Sequence, residues 1–283
     1  MGKRITLNCS GKLLSLEKPA VMGILNVTDD SFYDGGRYRS EEEIVSRCEA
    51  ILEEGAEIID VGAVSTRPGT EGIDAVAEER KLEDALRVIR KRFPDATLSL
   101  DTYRADIARR MVNDYGVDII NDISAGTMDE KMFETVACLN VPYVLMHMQG
   151  TPATMQVNPV YGDPSGEVIR FFSDAIFRLR SLGVKDIIVD PGFGFGKTVE
   201  HNYELLRSMH RLDIFECPVL AGVSRKSMIC KCIETDAHHA LNGTTAVNTL
   251  ALLNGADILR VHDVREAVEC IKIVEMYRNG SKS

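Results

Sequence analysis

VMGILNVTDDSF, residues 21–32, is the stretch on which the fold turns. Five apolar residues run straight into Asn26 and a polar loop, the form of a strand buried on both faces. An open doubly wound sheet would follow its first strand with a glycine fingerprint that seats nucleotide phosphates. NVTDDSF stands there instead, which makes that fold the rival reading and not the first. Seven more short apolar runs follow: 57–61 (EIIDV), 97–101 (TLSLD), 118–120 (DII), 142–146 (PYVLM), 186–190 (DIIVD), 218–221 (PVLA) and 257–261 (DILRV). Helical patterns alternate with them. Ser40-Glu41-Glu42-Glu43 reads as a capping box before Ile44, Cys48, Ile51 and Leu52, with Gly55 closing the helix. A second helix spans 166–182 and stops at Gly183, and a last one over 263–277 lines up Val264, Val268, Ile271 and Val274.

Eight strand-helix pairs in series predict a closed α/β barrel, the (β/α)8 or TIM barrel, and 283 residues suit one such barrel of roughly 250. With no Pro/Gly/Ser-rich linker, residues 1–283 read as one domain. Ahead of the first strand, ITLNCSGKLLSL pivots on Ser10-Gly11 and predicts a β-hairpin that closes the barrel bottom.

Composition narrows the function. The formal net charge of −10, without a basic stripe, argues against nucleic acid, while leaving room for a small anion in a locally positive cleft. No apolar tract approaches the roughly 18 residues of a membrane span, and MGKRITLNCSGKLLSL breaks its apolar run too early for a signal peptide, so a cytoplasmic protein is expected. Seven scattered cysteines match neither a zinc site nor a disulfide framework; reduced thiols are expected.

In a barrel the chemistry gathers at the carboxyl ends of the strands and in the loops beyond them. Those ends carry Asn26, Asp60, Asp101, Asn121 with Asp122, His147, Asp190, Ser224 to Ser227, and Arg260 with His262. Singly, each has a plain structural explanation: Asp60 and Asp122 as loop caps, Asp101 as an N-cap for a helix beginning near Arg104, His262 as a core histidine, Arg67 as a solvated charge. Together they would place ionised groups beside a core at a cost of several kcal/mol each unless paired or bound, about, and that favours a site. GFGFGKT, 192–198, only mimics a phosphate loop, because Pro191 occupies the position of the required first glycine.

The same ends carry motifs that resemble the dihydropteroate synthase family: MGILNVT and SF.DGG within 22–36, STRPG at 65–69, LDTYRA at 100–105, NDISAG at 121–126, LMHMQGTPATMQ at 145–156, DPGFGFGKT at 190–198, GVSRKSMI at 222–229 and RVHDV at 260–264. The resemblance implies a TIM-barrel transferase that joins 4-aminobenzoate to a pterin diphosphate in folate synthesis. It places Asp101, Asn121, Met146, Asp190 and Lys226 in a pterin pocket, and Asn26, Arg260 and His262 at the diphosphate, with Mg2+ held at Asn26. It sets Thr66, Arg67, Pro68, Phe195 and Ser224 around aminobenzoate, and makes Asp101, Lys226, Arg260 and His262 the catalytic group. Asp190 suits the N–H edge of a pterin, because a carboxylate offers two acceptors to it. The backbone N–H groups of 224–227 would receive the aminobenzoate carboxylate at a helix start. In the GFGFGKT turn Phe195 would supply an apolar wall and Lys197 would be solvated. The family also implies a homodimer and sulfonamide competition with aminobenzoate; this sequence departs from the family pattern at Asp29, where proline is usual, and at Val64, where an acidic or amide residue is expected. A pterin-dependent methyltransferase would keep Asp101, Asn121 and Asp190 but have no use for STRPG or for the Arg260/His262 pair. A non-catalytic pterin-binding module is the other alternative.

Overall fold

The computed structural model describes residues 5–27, 37–63, 73–155 and 159–280. Two short strands, β1 (Thr6–Cys9) and β2 (Lys12–Ser15), pair antiparallel around Ser10 and Gly11. Both turn residues have positive φ, 52° and 90°, the backbone twist a two-residue hairpin needs.

Eight strands then form one parallel sheet: β3 (Ala20–Asn26), β4 (Ile58–Gly62), β5 (Thr97–Asp101), β6 (Ile119–Asp122), β7 (Tyr143–Met146), β8 (Ile187–Asp190), β9 (Leu220–Ala221) and β10 (Ile258–Val261). Neighbours pair in chain order and β10 returns to β3, while a parallel bridge between Val189 and Val219 joins the remaining two edges. This is the predicted barrel. The strands lie within one or two residues of the expected runs, because each run ends where inward polar side chains begin.

Alternation along the strands sorts the side chains into two apolar layers. Outward residues such as Val21, Ile59, Leu98, Ile120, Leu145, Val189 and Leu259 join the core beneath the helices. Inward residues Met22, Ile58, Ile119, Val144, Ile188, Leu220 and Ile258 fill the barrel and meet Leu7, Cys9 and Leu16 of the hairpin segment. The hairpin therefore closes the floor, and Asn8 ties it to the barrel by donating its N–H to Asp186 at 3.1 Å. Each fully buried large apolar side chain in that plug stabilises the fold by about 1.5–3 kcal/mol.

Helices cover the outside. Helix α1 (Arg37–Glu53) begins ahead of Ser40, so the expected capping box lies inside the helix and does not start it. Helix α2 spans Ala75–Arg92, capped by Asp74, and α3 spans Ala105–Tyr115. Helix α4 covers Met132–Leu139. The helix expected from 166 is α5 (Pro164–Ser181), which starts earlier because Asp163 accepts from Gly166 N–H at 2.9 Å and Pro164 is fit for a first turn. Then come α6 (Val199–Ser208), the short α7 (Ser227–Cys232), α8 (Leu241–Leu253) and α9 (Val264–Asn279).

Candidate active site

Two residues beyond the apolar plug on β4, β6, β8 and β10, the inward layer turns polar. Asp60, Asp101, Asn121 and Asp190 are each at most 9 % exposed, which commits them to one another. Arg260 donates from Nε to Asp60 and from Nη2 to Asp101, both at 2.7 Å, while the Asn121 amide reaches the Asp60 carboxylate at 3.2 and 3.3 Å. Burial works against the Arg260 cation, yet Asp60 and Asp101 more than offset it and raise its pKa. Burial pushes Asp101 up to about 7, with Arg260 pulling the other way. Asp60 was legible as one of the strand-end polar residues, with a loop cap as its plain explanation and no role of its own; its place directly inward on β4 makes it the partner that orients Arg260.

Across the mouth, Asp190 accepts from Gly192 N–H at 2.7 Å, and burial raises its pKa against the pull of Lys226. Lys226 donates to the Phe193 carbonyl and stands 4.5 Å above the Phe195 ring. Burial lowers the Lys226 pKa to about 8, with Asp190 the chief opposing influence. Gly222 marks the convergence. A Cβ placed on it would lie 3.7 Å from Lys226 Nζ, 3.9 Å from Arg260 Cβ and 4.0 Å from Asp190 Oδ2. Three segments far apart in the chain thus meet at one point, and the missing side chain keeps that point open to a guest. Met146, 2 % exposed, packs beside it under Gly192.

Arg260 and His262 do not converge as the spacing suggested. Arg260 closes on the two carboxylates because their burial demands a counter-charge, whereas His262 lines a cavity of about 490 Å³ together with Asn26, Arg47 and Arg225. Burial, reinforced by Arg260 and Arg225, lowers the His262 pKa to about 4, so its imidazole is neutral around pH 7. Its Nδ1 lies 3.1 Å from Ser224 Oγ, and the His262 backbone N–H donates to the same oxygen at 3.2 Å. The Ser224 hydroxyl is therefore engaged already. Arg225 forms a two-pronged pair with Asp263, at 2.9 and 2.6 Å, and Arg47 donates to the His262 carbonyl at 2.7 Å. Both arginines escaped the sequence reading: Arg47 lies in the middle of a helix, and Arg225 is legible only as one letter of a motif.

Other expectations need correction. The backbone N–H groups of Arg225 and Lys226 are taken by Thr244 Oγ1 and the Val223 carbonyl, so they do not stand ready for a carboxylate. Lys197 is not solvated: it is 3 % exposed, and burial lowers its pKa to about 7. Asp101 does not cap α3, whose first N–H donates to Asp129. Asp122 does cap its loop, accepting from Ser124, Gly126 and Tyr143 within 2.8 Å. Thr66, Arg67, Pro68, Asp29 and Val64 lie outside the described residues.

Comparison with known proteins fits this geometry. Residues 22–262 match the family model described as pterin binding enzyme. Dihydropteroate synthase of Escherichia coli (strain K12) is 41 % identical over 271 residues, covering 95 % of each chain. Two solved structures superpose closely. Yersinia pestis dihydropteroate synthase in a sulfonamide drug complex has a TM-score of 0.90 at 39 % identity, covering 97 % of this chain and 100 % of that one. Xanthomonas albilineans dihydropteroate synthase with 4-aminobenzoic acid has a TM-score of 0.88 at 36 % identity, covering 97 % and 98 %. The chain belongs to the pterin-binding enzymes and, among them, to the dihydropteroate synthase family. It is accordingly a transferase of folate synthesis.

Proposed function

We propose a division of labour in which the polar layer around Gly222 grips the pterin and the cavity at Asn26 and His262 receives the leaving diphosphate. The reaction joins the amine of 4-aminobenzoate to the methylene carbon of 7,8-dihydropterin-6-ylmethyl diphosphate and releases diphosphate. The C–O bond breaks with its electron pair on diphosphate, the C–N bond forms, and the amine proton passes to water or to the released anion. An aniline nitrogen keeps its lone pair free at neutral pH, so the step asks for positioning and electrostatics more than for a base.

Asp190 offers two acceptor oxygens to the donor edge of the pterin, Asn121 and Lys226 complete the polar frame, and Met146 packs on the ring. Asp101 stabilises positive charge that develops on the pterin as the C–O bond lengthens. Arg260 contributes its charge from between Asp60 and Asp101, not as a free fork of donors. His262 acts as a neutral hydrogen-bond partner, and Arg47 and Arg225 bring two guanidinium groups to a cavity whose wall also carries Glu43 and Asp263. Phe195 forms a wall for aminobenzoate near Ser224, and Thr66, Arg67 and Pro68 are assigned to the same substrate from their motif alone. The observation carrying this reading is the meeting of Asp190, Lys226 and Arg260 within 4.0 Å of one point.

Mg2+ fits the same cavity. Asn26 supplies a hard oxygen donor at its edge, and no cluster of three metal-binding side chains occurs among the described residues. A magnesium ion held largely by phosphate oxygens and water needs no such cluster, and when bound it neutralises diphosphate charge. Incubation with the pterin diphosphate, aminobenzoate and Mg2+ should yield dihydropteroate, and chelation of the metal should suppress it. A sulfonamide should compete with aminobenzoate. No product under these conditions would favour the non-catalytic binding module.

We also place the protein in the cytosol as a homodimer. None of the seven cysteines is in a disulfide, as a reducing compartment keeps them. Leu250 and Leu253 of α8 and Ile273, Met276 and Tyr277 of α9 are each at least 44 % exposed, an apolar face suited to a second copy. Sedimentation should give twice the chain mass, and Met276→Glu with Ile273→Glu should give the monomer; a wild-type monomer at micromolar concentration would overturn the assignment.

A further inference from the structure

Lys197 stands outside the residues assigned above, yet its ammonium is fully engaged. Nζ donates to the carbonyls of Gly192 and Phe195, each at 3.0 Å, and of His147 at 3.3 Å, and lies 3.1 Å from His147 Nδ1. An ammonium has three protons, so these acceptors saturate it. Nδ1 serves here as an acceptor, which leaves the His147 ring proton on Nε2. Without the cation, carbonyl dipoles converging on one buried spot would have no donor between them.

The backbone around it has no slack. A Cβ on Gly192 would stand 1.9 Å from the His147 carbonyl oxygen, and one on Gly196 would stand 2.5 Å from that of Gln149. The loops after β7 and β8 therefore touch main chain to main chain, and only glycine permits it. The turn 192–197 is clamped from two sides. Lys226 takes the Phe193 carbonyl on the pterin side, and Lys197 takes the Gly192 and Phe195 carbonyls on the buried side.

We propose that Lys197 is a positioning residue for aminobenzoate: by holding the Gly192 and Phe195 carbonyls against the His147 loop, it fixes the Phe195 ring beneath Lys226 as the wall for the incoming ring. This rests on the assignment of Phe195 to aminobenzoate. A merely structural anchor would weaken both substrates alike when removed. A positioning residue separates them, because Lys197 donates to none of Asp190, Asn121 and Asp101; only the Gly192 N–H to Asp190 and the Lys226 contact with the Phe193 carbonyl join that frame to the turn.

The test compares Lys197→Met, Phe195→Ala and the double variant by steady-state kinetics, with pterin affinity measured separately by calorimetry. Lys197→Met should raise the KM for aminobenzoate about tenfold or more while pterin Kd stays within about twofold. Phe195→Ala should raise the same KM, and adding Lys197→Met to it should change little more, since both act through one ring. An unchanged KM in Lys197→Met, equal weakening of pterin, or multiplying effects in the double variant overturns the proposal. If Phe195→Ala itself leaves KM unchanged, the assignment of Phe195 fails and takes the proposal with it, an outcome distinct from the others.

Lys197→Gln, which keeps a donor for the carbonyls, is the milder probe should Lys197→Met not fold. The chain contains no tryptophan, so Phe195→Trp gives a sole tryptophan, which can be excited at wavelengths the tyrosines do not absorb. Its emission anisotropy should fall when Lys197→Gln is added; identical anisotropy in both backgrounds also overturns the proposal.

Discussion

Replacing Asp190 with alanine should weaken pterin binding by about two to three orders of magnitude, the loss of a buried charged acceptor being worth roughly 3–4 kcal/mol. Asp190 is 5 % exposed, and its Oδ1 is preset by the Gly192 N–H, so the carboxylate needs no rearrangement to meet a donor edge. The same change removes the chief influence that keeps the buried Lys226 protonated, and its pKa should fall further below about 8. Turnover therefore suffers twice, in binding and in charge. Titration calorimetry with the free pterin measures the first part directly. A Kd within about threefold of wild type would remove Asp190 from the pterin pocket.

Arg260→Ala should be the most damaging single change, and first of all to stability. It strips the counter-charge from two carboxylates, Asp60 and Asp101, that are 0 % and 9 % exposed. Breaking a buried pair in this way costs about 3–5 kcal/mol. The deficit should depend on pH, with a definite sign. Asp101 already has its pKa raised from an ordinary 3.8 to about 7, so between those values the folded chain holds a proton that the unfolded chain has lost. Its contribution to stability thus declines as pH rises through that window. Arg260 is the main influence pulling that pKa down, and its loss extends the window upward. The Tm gap between Arg260→Ala and wild type should be wider at pH 8 than at pH 5.5. A gap independent of pH would mean that the carboxylates are not what Arg260 holds. Whatever folded protein remains should turn over at least about a hundredfold more slowly.

The barrel was legible because burial on both faces leaves strands as short apolar runs, and those runs are hard to mistake when eight recur with helices between. Legible too was the rim, since a carboxylate or cation at the end of such a run has nowhere to go but the mouth. What escaped is pairing. Asp60, inside EIIDV, looks like Asp122 just past the DII run, yet one clasps Arg260 and the other caps a loop; only the ring of strands decides which neighbour each meets. Glu78 of α2 reads as one more helix charge, but it is 0 % exposed and takes a hydrogen bond from Thr102 at 2.6 Å. Lys197 looked solvated because long amines usually are, and nothing along the chain announces three carbonyls folded back onto it.

The inward apolar layer, with the hairpin packed beneath it, gives the barrel the form of a cup and not of a pipe. Water shed by an arriving heterocycle, the departing anion and the finished product all cross a single lip. The polar layer is never rinsed from beneath, and its dryness is governed wholly by what sits at the brim.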